Sequence, residues 1–452
     1  MFKYFPHTPD DIKEMLRVIG VNSIDDLYSE IPEELKLHRE LQLPSGKSET
    51  EVRRIIGSMA DSNRQLVCFA GDGVYDHYVP SVVPYLTARS EFSTSYTPYQ
   101  AEISQGTLEY IFEYQTMMSD LTGMDLSNAS MYDGSTATAE AMLMCVAASK
   151  KRNKVLLSAT FSPSVIKVVE TYAKFHGVDL VTVPSKDGVM DKDAARKLIC
   201  GGDVAGLVAV QTNYYGIIED LSGLADCCHE HKALFVVSTV ASALGVLKTP
   251  GELGADIACG SAQSLGIPMN YGGPHIGYLC TTSALVRKMP GRLVGVTTDT
   301  DGKRAFVLTM QAREQHIRRE KATSNICTAQ GMMCLFVACY LSLMGESGLR
   351  EVNNRSYSTA HYLHDRLLET GLFDDTFGTQ PFLNEFTMTA KVDAKRLRDS
   401  LADKGFLFGV VTEGLPNSLT IAATEMRTKE ETDALVDMIT EIGWKKDAGG
   451  NV

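Results

Sequence analysis

The chain has 452 residues, 44% of them apolar, with 43 basic against 56 acidic side chains and a net charge of −13. That length and apolar share support a large core divided among about two or three domains, and the acidic balance argues against a sequence-independent grip on nucleic acid or an anionic membrane. There is no run of about 18 apolar residues, the stretch from Met1 to His7 lacks the apolar centre of a signal peptide, and the ten cysteines include no CxxC pair, so a soluble cytoplasmic protein without disulfides or a metal site is expected.

Residues 1–65 read as short amphipathic helices. Thr8-Pro9-Asp10-Asp11, Ser23-Ile24-Asp25-Asp26 and Ser48 with Glu51 are helix starts. Such pieces are too short to hold a core alone, and an arm lying on the main domain or on a neighbouring subunit is expected. Between Tyr75 and Tyr114 the chain carries seven of its 18 tyrosines. Each buried phenol needs a hydrogen-bond partner, so this density suits an interface or pocket better than a packed core. Pro98 and Gly106 bracket a loop whose Tyr96, Tyr99, Gln100, Glu102 and Gln105 are expected at the mouth of a site, ahead of a helix over 107–121.

Gly134, Ser135 and Thr136 open the next apolar helix. Free N–H groups and the helix dipole there suit a phosphate, although Asp133 also fits as an ordinary cap whose charge opposes one. From Lys154 to Ala258 apolar strands alternate with helices, which predicts an α/β fold with a mainly parallel sheet covered on both faces. Ligands then gather at strand ends such as Asn213–Gly216 and Ser238-Thr239. Cys259–Tyr278 holds five glycines and two prolines, a backbone bent around something.

The run 311–328 begins with charge, and Arg313 and His316 suit a solvated helix face as well as an interface. Thr323, Ser324 and Asn325 offer hydroxyls and an amide that suit an interface. An apolar helix after Gly331, a charged helix over 351–370 and alternating strands and helices to 442 read as a small α+β domain. The expected division is therefore 1–65 for the arm, 66–335 for the large domain and 336–452 for the small one, with disorder from Asp447 to Val452.

Five segments resemble the decarboxylating glycine dehydrogenases, the P-protein family of the glycine cleavage system: Tyr75-Asp76-His77, Tyr96–Gly106, Met131–Thr136, Leu265–Gly273 and Arg313–Thr328. The resemblance covers nearly the whole chain and is strongest to the alpha subunit of the two-subunit form. It implies an aminotransferase-like fold, that of the fold type I pyridoxal phosphate enzymes. In that family a His-Lys pair precedes Ile-Pro and Gly-Gly-Pro, and the lysine forms a Schiff base with pyridoxal phosphate. Aligning Ile267-Pro268 and Gly273-Pro274 puts Gln263 at that lysine, and an amide cannot form an imine. Counting back from Ala255-Asp256 puts Val237 where the family's pyridine-nitrogen aspartate belongs. No catalytic residue is therefore expected in this chain, and Gly134, Ser135 and Thr136 become a vestigial phosphate cradle. The resemblance implies pyridoxal phosphate on a beta subunit, an α2β2 heterotetramer, glycine as substrate and a lipoylated H-protein as acceptor. Two other readings stay open: an inert scaffold of the same fold, and an independent pyridoxal enzyme using Lys248 or Lys321.

Overall fold

The computed structural model describes residue 4 and residues 6–149, 151–378 and 380–447. The disorder expected over 447–452 thus falls, apart from Asp447, outside the described residues. Contacts divide the chain into one unit ending at Arg64 and a second beginning at Gln65.

In the first unit, Thr8 caps the helix Pro9–Ile19: its Oγ1 accepts from Asp11 N–H at 3.2 Å while the Asp11 carboxylate accepts from Thr8 N–H at 2.7 Å. Ser48 and Glu51 repeat the arrangement for Glu49–Asp61. The Ser23 signal yields only the 3-10 turn Asp25–Tyr28, because the Asp26 carboxylate folds back onto Asn22 and Ser23 N–H groups and Pro32 follows closely. Neither helix has a buried residue.

The second unit is built on a seven-stranded sheet. Its strands are β1 (Leu126–Ser127), β2 (Lys154–Ser158), β3 (Asp179–Val183), β4 (Val204–Val210), β5 (Leu234–Ser238), β6 (Ile257–Ser261) and β7 (Gly277–Thr281), in the spatial order β1-β7-β6-β5-β4-β2-β3. Neighbours from β6 through β3 are parallel, and β7 is antiparallel to both β6 and β1. All seven residues of β4 are buried, as expected of a central strand covered on both faces. Along β5, side chains alternate between the two layers: Val236 packs with Met142 and Cys145 of the helix Gly134–Ser149, while Phe235 and Val237 pack with Ile199 and Leu224 on the other side.

The helix Gly331–Glu369 runs through the boundary expected near residue 336 and is broken at Gly345, whose φ of 57° and ψ of −171° leave the helical region. It has the length and composition of a membrane span. However, Cys334, Val337 and Tyr340 are buried in one cluster with Leu108, Ile111 and Tyr114 of the helix Gln105–Thr122, the arrangement of a core helix.

A four-stranded antiparallel sheet follows, in the order Phe373–Asp375, Glu385–Ala390, Ser418–Ala422, Val410–Val411. Its core joins Phe386, Met388 and Leu419 to Leu397 and Leu435 of the helices Ala394–Asp403 and Lys429–Asp447. The strand Val67–Phe69 pairs in parallel with Phe406–Phe408, so it belongs with this C-terminal layer rather than with the large sheet. Local pattern carries no signal for a partner more than 300 residues away. The run 311–328 also differs from the reading of a charged helix: it holds only the 3-10 turns Gln311–Arg313 and Arg319–Lys321 around the four-residue helix Gln315–Arg318.

Candidate functional site

The carboxyl ends of β2, β4, β5 and β6 surround a cavity of about 270 Å³, the place where a parallel sheet gathers ligands. Phe161 and Ser162 follow β2, Thr212 and Asn213 follow β4, and Thr239 follows β5. The start of the helix Gly134–Ser149 forms another wall, and Asp72, Tyr75 and Glu385 close the cavity from the C-terminal layer. Two glycines are required by close approach: a Cβ at Gly260 would strike the Thr239 carbonyl, and one at Gly277 the Asp133 carbonyl.

Gln263 does not line this cavity. It is 1% exposed, and its amide is fully used. Oε1 accepts from Tyr75 N–H at 3.1 Å, and Nε2 donates to the carbonyls of Tyr75 at 3.1 Å and Ile267 at 2.7 Å. The residue at the expected lysine position thus ties two distant backbone segments together.

The Tyr75-Asp76-His77 motif extends that tie to the C-terminal layer. Tyr75 OH donates to Glu385 at 2.9 Å, Arg427 pairs with Asp76 at 3.2 Å and His77 Nδ1 lies 2.7 Å from Glu425. Burial pushes the Glu385 carboxyl from 4.5 up to about 7, opposed by hydrogen bonds from Asp72 N–H and Tyr75 and aided by the Asp72 charge. Burial also raises Asp72.

The expected cradle is only partly a cradle. Gly134 and Ser135 line the cavity but Thr136 does not. Asp133 caps the helix instead, its Oδ1 accepting from Thr136 N–H at 2.7 Å, so a carboxylate occupies the end that would face a phosphate.

Val237 is a correction of register. It is buried on the far face of β5, and the residues beside the cavity are Ser238, whose hydroxyl is 3.4 Å from that of Thr138, and Thr239. The strand pleat reverses side chains at each step, so an ungapped count that errs by one residue selects the wrong face. The uncharged character expected at the strand end still applies to Ser238 and Thr239.

The donor set does not fit pyridoxal phosphate. Among the described residues, the lining includes no lysine or arginine, and its acids are Asp72, Asp133 and Glu385. Lys248 and Lys321 are both exposed and outside the cavity, so neither serves as an imine lysine there.

The tyrosine loop is not at the mouth of this cavity, contrary to one half of the expectation: none of Tyr96, Tyr99, Gln100, Glu102 and Gln105 lines it. Tyr96, 91% exposed, borders a second concavity of about 500 Å³ together with Arg292, Thr328 and Gln330. Tyr99 accepts from Arg292 Nη2 at 3.1 Å, and Arg292 stacks on its ring at 5.3 Å. Gln100 and Glu102 are exposed. Gln105 instead clamps the hairpin strand Arg304–Thr309, accepting from Phe306 N–H at 2.8 Å and donating to its carbonyl at 2.9 Å.

Two interface candidates are likewise committed within the chain. The Arg313 guanidinium donates to the carbonyls of Met289 and Gly291, and Ser324 Oγ donates to Glu140 at 2.6 Å. His316 and Asn325 are exposed, and Thr323 is half-buried. The sequence reading missed Asp72, Glu385 and His275 as cavity residues. The Tyr75 motif pointed beside Asp72, but nothing local announces Glu385.

Residues 2–439 match the sequence model of the glycine cleavage system P-protein. A protein named probable glycine dehydrogenase (decarboxylating) subunit 1 from Geobacillus kaustophilus is 47% identical over 97% of this chain and 98% of its own length. One of the same name from Carboxydothermus hydrogenoformans is 47% identical over 97% of this chain and 99% of its own length. Among solved structures, glycine decarboxylase (P-protein) of the glycine cleavage system, in inhibitor-bound form, superposes with a TM-score of 0.90 at 42% identity, covering 98% of this chain and all of that one. A sphingosine-1-phosphate lyase from Burkholderia pseudomallei, at a TM-score of 0.65 and 16% identity over 90% of this chain and 93% of its own, shares the fold alone. That fold is the aminotransferase-like architecture of fold type I pyridoxal phosphate enzymes, and this chain is a member of the glycine cleavage system P-protein family.

Proposed function

We propose that this chain is the alpha subunit of a two-subunit glycine decarboxylase, inactive alone and without covalently held cofactor. A beta subunit carries pyridoxal phosphate and its lysine, and the two together decarboxylate glycine and pass the aminomethyl group to the lipoyl arm of H-protein. The assembly is an α2β2 heterotetramer in the cytoplasm. The observation that carries the reading is Gln263: at the position of the imine lysine stands an amide whose three hydrogen bonds are all spent on backbone. The names of the full-length relatives favour a decarboxylase subunit over an inert scaffold.

This chain's own contribution is shape and polar groups. The exposed Tyr96, Gln100 and Glu102, with Tyr99 held by Arg292, form a ready contact surface for the partner's site. The arm offers exposed Leu35, Leu41, Leu43 and Ile56 as apolar contacts for a neighbouring subunit. Mixing purified chains with pyridoxal phosphate tests the reading. An aldimine absorbance band and glycine-dependent release of carbon dioxide are expected only when both subunits are present. A borohydride-trappable imine on this chain alone would refute it.

A further inference from the structure

Most of the ten cysteines are buried, whereas Cys200 and Cys327 are exposed and Cys227 and Cys339 are half-buried. Cys200 and Cys227 sit next to each other. Cys200 ends the helix Lys192–Ile199, its N–H donating to the Arg196 carbonyl at 2.9 Å, and Cys227 lies in the helix Leu224–Glu230. Both helices join parallel strands and cover the same face of the sheet, where Ala195 and Ile199 pack in one cluster with Leu224 and Cys228, so they run side by side in one direction. Arg196 Nη2 comes within 3.5 Å of the point where a Cβ would stand on Gly223. One turn further along each helix, Arg196 gives way to Cys200 and Gly223 to Cys227, the spacing that keeps residues on one face. The two thiols come within hydrogen-bond reach there. Burial raises the Cys227 thiol, the Cys200 thiol adds to that and Arg196 opposes it, so the exposed Cys200 is the sulfur that an oxidant meets first.

Cys228 is not a rival partner. Its side chain is fully buried in the cluster with Phe235, and a helix turns the adjacent Cys227 about 100° away from it. The chain also has room to close the pair to the roughly 2 Å of a sulfur–sulfur bond. Gly201 and Gly202 follow Cys200, and Gly202, at a φ of 78°, has open space where a side chain would stand, so the segment carrying Cys200 can shift without a clash.

We propose that Cys200 and Cys227 are a modification site that closes into a reversible disulfide when the chain meets a peroxide. The proposal is independent of the decarboxylase reading. The Cys200 thiolate attacks hydrogen peroxide, forming a sulfur–oxygen bond as the O–O bond breaks; the departing hydroxide takes up a proton and leaves as water. The Cys227 sulfur then attacks the sulfenic sulfur of Cys200, and its proton leaves with the displaced hydroxide as a second water. Two thiols lose two electrons and one peroxide gains them. A thiol reductant reverses the bond by exchange. Cys200 stands just before the amino end of β4, whereas the cavity lies at the carboxyl ends of the strands, so the bond ties two helices together away from the cavity.

The test uses the full-length chain carrying Cys327→Ser, which removes the other exposed thiol. It is treated with a small excess of hydrogen peroxide, alkylated in denaturant and digested. Trypsin leaves residues 198–232 as one peptide, because no lysine or arginine lies between Lys197 and Lys232, and cleavage after Glu219 then parts Cys200 from Cys227. The two pieces are expected to stay joined until a reductant is added, with both thiols lost to alkylation. Cys200→Ala should abolish the joined species, and Cys227→Ala should leave Cys200 as a sulfenic acid that dimedone traps. The bond closes a loop of about 28 residues, so the oxidised chain should melt about 2–4 °C above the reduced one. Circular dichroism shows whether each variant folds, and the joined peptide of the Cys327→Ser chain decides the matter if one does not. The proposal is overturned if the pieces separate without reductant, if the bond joins two chains, if Cys227→Ala keeps the joined species, or if Cys200 runs on to sulfinic acid while Cys227 still alkylates.

Discussion

The strand-end cavity and the tyrosine loop occupy opposite conditions in one molecule. Around the cavity, Gln263 and the Tyr75-Asp76-His77 motif are turned inward: they spend their polar atoms on backbone and on the C-terminal layer. In the loop, Tyr96, Gln100 and Glu102 keep theirs in water. Polar groups bonded to one another inside the chain hold its segments together, while exposed ones are free to meet another surface. Changes around the cavity should therefore cost stability, and changes in the loop should cost activity of the mixed enzyme.

The largest effect is expected from Gln263→Leu. It leaves the buried Tyr75 N–H and the Ile267 carbonyl without partners, while the Tyr75 carbonyl keeps the His77 N–H at 3.2 Å, and each unpaired group costs about 1–3 kcal/mol, giving a total of about 4 kcal/mol. Urea denaturation of this chain measures it. A loss under about 1 kcal/mol would mean that Gln263 is not a staple and that the inward-turned description fails.

Next comes the pH dependence of stability. Burial raises Glu385 from 4.5 to about 7 in the folded chain, so the folded state holds a proton that the unfolded state has released across that interval. Stability from this group is full below pH 4.5, falls as pH rises through the interval and is gone above about 7, a change of about 3 kcal/mol. Glu140, raised to about 7 by burial against its bond from Ser324, acts in the same direction. Melting curves from pH 5 to pH 8 should therefore fall more steeply for the parent than for Glu385→Gln, which cannot ionise.

The double change Tyr99→Phe with Glu102→Gln moves to the open region. Losing the Arg292 bond to the phenol should cost this chain about 1 kcal/mol, because Arg292 is 6% exposed and is left with the ring face and a 3.9 Å pairing with Glu314. In the mixed complex, bicarbonate–glycine exchange should fall by about tenfold, equal to the 1.4 kcal/mol of one contact made in the partner's site. Exchange at the parent rate would show that the loop does not serve that site.

The parallel sheet was legible because its inner strands Lys154–Ser158, Val204–Val210 and Leu234–Ser238 are short, largely apolar runs between turn residues, and burial on both faces imposes that pattern. The capping boxes at Thr8 and Ser48 were legible because both partners lie within one turn. What stayed hidden depends on distance or on phase. The strand Val67–Phe69 pairs with Phe406–Phe408, and Glu385 reaches Tyr75 across 310 residues, so neither has a local signature. Val237 failed on phase, since one residue of misalignment on a pleated strand exchanges the core face for the cavity face. The tyrosine-rich stretch divides: Tyr96 and Tyr99 are exposed, while Tyr110 and Tyr114 pack in the core, and which concavity the loop borders is a matter of packing. Gln105 shows the limit: a glutamine in a polar loop looked like a site residue and is a clamp on Phe306.

Tyr96→Ala should have the smallest effect on the chain and divides the two regions most cleanly. The side chain is 91% exposed, so removing it leaves no cavity and no unpaired buried group, and the stability of this chain should change by less than about 0.5 kcal/mol. An exposed tyrosine nonetheless carries a large, stiff apolar ring with a polar tip, the kind of side chain that dominates protein contacts once covered. Titrating the beta subunit against the parent and the variant should show affinity reduced by about tenfold or more. Equal affinity with unchanged stability would mean that Tyr96 is simply solvated and that the open region is smaller than the loop. A large loss of stability would place Tyr96 among the inward-turned groups, and the contrast between cavity and loop would collapse at its clearest point.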